Sequence, residues 1–97
     1  MKRVYKYPLS ILDEQRLTLP AKSSVLSVCE QEGNIMLYAL IEDNQPNTEE
    51  WIIRIAGTGH EIADAWIGKD FVGAVKLADD ALVFHVFALM PYPHTRY

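Results

Sequence analysis

Along most of the chain, apolar and polar positions alternate with a period of two, the spacing of a β-strand. In "RVYKYPL" the residues Arg3, Tyr5 and Tyr7 fall on one face and Val4, Lys6 and Pro8 on the other. Proline cannot donate to a ladder, so this run is an edge strand or ends at Pro8. "QRLTLP" sets Leu17 and Leu19 against Arg16 and Thr18 and closes on Pro20. "SSVLSVCEQ" is a third run, ended by the turn-forming "EGN" at residues 32–34.

The next runs are more apolar. "NIMLYALIE" carries hydrophobic residues on both faces, as do residues 51–56 and 81–89. Strands of that kind are covered on both faces or add an oligomer interface, and the excess over residues 35–41, 51–56 and 81–89 points to self-association as the cover. "EDNQPNTEE", residues 42–50, reads as a loop, and "EEWIIRIAG" resumes the alternation with Trp51, Ile53 and Ile55 on one side. In "EIADAWIG" the residues Ile62, Ala65 and Trp66 recur at helical spacing, which predicts one short helical turn. "KDFVGAVKL" and "ALVFHVFAL" then pair around "ADD", residues 78–80.

The pattern predicts an all-β fold: a small antiparallel β-sandwich or barrel-like domain of about seven short strands, with at most one short helical turn. A single domain is expected over residues 1–88. Residues 89–97, with two prolines and two tyrosines in "MPYPHTRY", are expected to form a C-terminal arm.

Three blocks, "MKRVYKYPL", "IRIAGTGH" and "FVGAVKL…ALVFHVF", together resemble a family of small uncharacterised proteins encoded by bacteriophages and prophages. The resemblance spans residue 1 to about 87. It implies action inside a bacterial host cell, in the cytoplasm, and supplies no catalytic residues.

Composition narrows the function. The chain has 97 residues, 49% of them apolar, and a net charge of −4. That balance argues against a duplex nucleic-acid ligand, which needs clustered Lys and Arg. No run approaches the ~20 apolar residues that span a bilayer, and the basic N-terminus lacks the apolar segment of a signal peptide. One cysteine, Cys29, leaves no internal disulfide and suits a reducing compartment.

The candidate binding loop is GTGH. Gly57 and Gly59 permit tight backbone geometry, Thr58 and His60 offer polar groups, and Arg54 precedes them on the strand. A plain β-turn satisfies the same residues. His60, His85 and His94 lack metal-ligand spacing, so no metal or other cofactor is expected. The adjacent acids Asp13/Glu14, Glu49/Glu50 and Asp79/Asp80 read as solvated turn charges, and no nucleophile elbow is present. The leading expectation is a non-enzymatic accessory protein that binds as a homo-oligomer, with a host protein or a small molecule as further partner. The alternative is an oligomeric receptor for a nucleotide-type signal at GTGH, and a hydrolytic enzyme stands third.

Overall fold

A computed structural model describes residues 1–90. Seven strands form in chain order: β1 (Lys2–Leu9), β2 (Glu14–Pro20), β3 (Ser24–Gln31), β4 (Asn34–Glu42), β5 (Thr48–Gly57), β6 (Phe71–Leu77) and β7 (Leu82–Leu89). They build two antiparallel sheets. Sheet A has the order β1-β4-β3, and sheet B the order β2-β5-β7-β6. The all-β, seven-strand expectation is met.

The core lies between the sheets. Alternation along β4 buries Ile35, Leu37, Ala39 and Ile41, and sheet B answers with Leu19, Ile53, Ile55, Val75 and Val86. Leu19, Ile35, Leu37, Ile53 and Val86 are the largest side chains that are fully enclosed. Burying each contributes about 1.5–3 kcal/mol.

Backbone parity explains both prolines. The Asp43 amide donates to the Met1 carbonyl. The register then puts Arg3, Tyr5, Tyr7 and Leu9 in hydrogen-bonded pairs with β4. The backbone groups of Lys2, Val4, Lys6 and Pro8 therefore point away from the sheet, where the missing N–H of Pro8 breaks no ladder bond. On β2, Ala21 donates to Asn47 and Ile55 to Asp13, so Pro20 is likewise outward. Between the two strands, the Gln15 carboxamide bonds the amide and the carbonyl of Ser10, standing in for a strand at that edge.

The opposite flank is built differently. β3 of sheet A packs along β6 of sheet B. Register shifts between Val25 and Ser27 and between Phe71 and Gly73 interrupt both strands there. Such bulges twist an edge out of line with a neighbour. Just past the shift in β6, a Cβ on Gly73 would sit 3.1 Å from Val28 Cγ2, so glycine permits the close approach of the two sheets.

Two sequence expectations are refined. The loop expected over 42–50 shrinks to 43–47, because the β1 ladder carries β4 through Glu42 and the β2 ladder starts β5 at Thr48. Within the segment expected to make a helical turn, Ile62–Trp66, the Trp66 amide donates to the Ala63 carbonyl at 3.0 Å and closes one turn, and a short 3-10 helix follows at Gly68–Asp70. The Asp70 carboxylate, accepting from the Ile67 amide, fixes the turn there. The arm expected over 89–97 lies, from residue 91, outside the described residues.

Candidate functional site

β5 runs up to the GTGH turn through Arg54 and Gly57. The His60 amide donates to the Gly57 carbonyl at 3.1 Å, closing a four-residue turn whose third residue, Gly59, has φ +87°. That positive φ is what the turn demands of its glycine. Gly57 serves another need. A Cβ there would point to the core side, as the Ile55 side chain does, and would meet His60 Cε1 at 3.1 Å. The register places Gly57 opposite Phe84, so the His60 ring sits over the core-side rim of sheet B.

Thr58 turns the other way. Its Oγ1 is 2.9 Å from His85 Nε2, and His85 lies opposite Ala56, with its side chain on the outer face of sheet B. Thr58 and His60 thus straddle the rim. The hollow they share with Gly57, Leu82 and Phe84 measures about 360 Å³.

Arg54 is not part of that hollow. Its side chain is only 13% exposed and is committed. The guanidinium donates to the carbonyls of Asp13, Ile55 and Glu61 at 2.8–2.9 Å, with Asp13 Oδ1 at 3.5 Å. Planar, forked donors suit Arg to such multiple bonding. The result is a latch that holds the β1–β2 turn and the loop after β5 onto the outer face of sheet B. So the structure brings Gly57, Thr58, Gly59 and His60 together as one turn and sets Arg54 apart from it.

The latched loop covers apolar surface. Trp66 packs edge-on against Phe87 at 6.2 Å, and Phe71 joins from β6 at 5.5 Å from Phe87 and 6.4 Å from His85. His85 therefore belongs to this aromatic group, as its place beside Val83 and Phe87 in the sequence suggests.

Among the described residues, sheet A has no such cover. Its outer face presents Val4, Met36, Tyr38, Leu40 and Cys29, which the register sets side by side. Polar groups ring it, with Lys6 Nζ donating to Gln31 Oε1 at 3.1 Å. No described segment lies across it. The Cys29 thiol is 3.6 Å from the Tyr38 hydroxyl, and that contact holds the Tyr38 phenol above its ordinary pKa. On the inner side, burial raises the Tyr7 phenol.

One acid departs from expectation. Glu49 is buried, where the sequence suggests a solvated turn charge. Its carboxylate accepts from the Lys22 amide and from Trp51 Nε1. It clamps the β2–β3 turn, where Lys22 has φ 67°. The period of two carries the signal, since Glu49 falls on the core-facing parity of Trp51 and Ile53. Asp13, Glu14, Glu50, Asp79 and Asp80 are exposed as expected.

Among the described residues, no three or more His, Cys, Asp or Glu side chains are grouped to hold a metal ion. No helix among them is long and apolar enough to cross a membrane. No curated protein and no solved structure matches the chain. Residues 1–95 do match a family model described as a domain of unknown function (DUF7352), and the chain belongs to that family.

Proposed function

We propose that this chain is a non-catalytic accessory protein that works by binding, and that its first partner is a second copy of itself, seated on the outer face of sheet A. One contrast carries the reading. The outer face of sheet B is covered in part by the chain's own loop, latched by Arg54 and packed through Trp66 onto Phe87, whereas no described segment crosses sheet A. The outer face of sheet A is an apolar centre inside a polar rim, the anatomy of a protein interface. Its resemblance to small phage and prophage proteins suggests a bacterial cytoplasm as the setting.

The size of the face sets the strength. Three strands about 4.8 Å apart and some eight residues long at about 3.3 Å each give roughly 380 Å² per copy. Two copies bury about 760 Å², below the ~1,200–2,000 Å² of a standard stable interface. The dimer is therefore weak, with a dissociation constant on the order of 10 µM, about 7 kcal/mol.

Sedimentation velocity from about 5 to 200 µM tests this directly. A reversible monomer–dimer equilibrium is expected, abolished by Leu40→Glu, which places a charge on the central strand of the face beside Val4. A wild-type chain that stays monomeric throughout would overturn the proposal, as would a dimer indifferent to Leu40→Glu.

A further inference from the structure

The edge of sheet A offers a second surface: face-to-face pairing takes up the Val4 side chain but leaves the outward backbone groups of the edge strand open. β1 is the outer strand, and the outward backbone groups of Lys2, Val4 and Lys6 have no partner among the described residues. The run is bounded. At its far end Pro8 has no N–H to offer, and the outward groups of Ser10 are taken by Gln15. Over the free stretch every side chain from Lys2 to Lys6 is exposed, including Val4 and Tyr5 at 55% and 48%. Nothing described covers either face of this part of the strand.

Exposed edges are usually blunted, and lysine is a common device for it. Here the lysines also select. Lys2 and Lys6 flank Val4 on one face of β1, and Arg3 on the other is paired with Asp43 at 2.7 Å. The strand holds three cations and no anion, in a chain whose net charge is −4. A second β1 laid antiparallel and centred on Val4 would set Lys2 against Lys6 twice, and like charges directly opposite are destabilising. Self-pairing at this edge is thus opposed by charge. A strand with carboxylates opposite Lys2 and Lys6, and a small apolar residue opposite Val4, would complete both the ladder and the charge.

We propose that β1 is a docking edge for an extended acidic segment of another protein, which adds to sheet A as a fourth strand. Backbone bonds give such augmentation its affinity, and alternate side chains give it selectivity. The spacing agrees: outward groups two residues apart recur at about 6.6–6.8 Å, the repeat of any incoming strand.

The test uses the full chain, labelled with nitrogen-15, and two blocked synthetic peptides of about ten residues. One alternates Glu with Val, the other Lys with Val. The expected result is amide shift changes concentrated on Lys2–Tyr7, and about tenfold tighter binding of the Glu peptide at low salt. The Lys2→Glu/Lys6→Glu double variant should reverse the preference. Val4→Pro should weaken binding without unfolding the domain, because it removes an outward N–H just as Pro8 already does. Equal affinity for the two peptides, shift changes centred elsewhere, or no binding of the Glu peptide at millimolar concentration would each overturn the proposal.

Discussion

Replacing Arg54 by methionine keeps an apolar stem of similar length and removes only the guanidinium. The carbonyl of Glu61 then loses the one donor found for it, and the carbonyls of Asp13 and Ile55 lose a charged one. The Asp13 carbonyl keeps the Ile55 amide at 3.0 Å, so its loss is partial. A hydrogen bond to a charged group is worth about 1.5–3 kcal/mol net when buried. The carboxylate of Asp13 adds little, because its side chain is 95% exposed and well screened. With loop carbonyls able to turn toward water, the total comes to about 2–3 kcal/mol, or about 10–20 °C in a domain of this size.

Urea denaturation followed by far-UV circular dichroism measures the global loss. Tryptophan fluorescence in native buffer measures the local one, since Trp66 should become wetter as the loop lifts from Phe87. Arg54→Lys should recover only part of the stability, because one ammonium cannot fork to three carbonyls. An unchanged urea midpoint together with an unchanged Trp66 environment in Arg54→Met would refute the latch.

Glu49→Ala should cost about 2–3 kcal/mol by stranding the Lys22 amide and the Trp51 indole, with Glu49→Gln in between; urea midpoints read both. Tyr7 and Tyr38 both titrate above the ordinary phenol value, by burial and by the Cys29 contact respectively. Their protonated forms are favoured in the folded state, so the stability they contribute is complete below about pH 10 and is lost as pH rises through the raised folded values. Denaturation midpoints followed from about pH 8 to 11 should hold to about pH 10 and fall above it, and Tyr7→Phe with Tyr38→Phe should flatten that decline.

The fold was legible because period-two alternation is a local property. Val86, Leu37 and Ile53 declare their faces through their own neighbours. Pro8 and Pro20 likewise mark strand ends at outward positions. The site was less legible. GTGH is recognisable as a turn, but which way Thr58 and His60 face depends on His85 and Phe84, more than twenty residues away. Arg54 reads as a binding residue from its place beside the glycines, yet its partners Asp13 and Glu61 belong to two different turns. The apolar second face of β5 and β7 suggested an oligomer interface, and the chain's own loop covers part of it through Trp66 and Phe87. The matching excess on β4 has no such cover among the described residues.

Cys29 reports on that surface without any substitution, since it lies on the outer face of sheet A beside Tyr38. Its reaction rate with a bulky thiol reagent, measured as a function of protein concentration, follows the exposure of the face itself. With a dissociation constant of about 10 µM, the rate per molecule should fall about fourfold between about 5 and 200 µM, and should stay flat in Leu40→Glu. A wild-type rate that does not change with concentration would contradict self-association through this face.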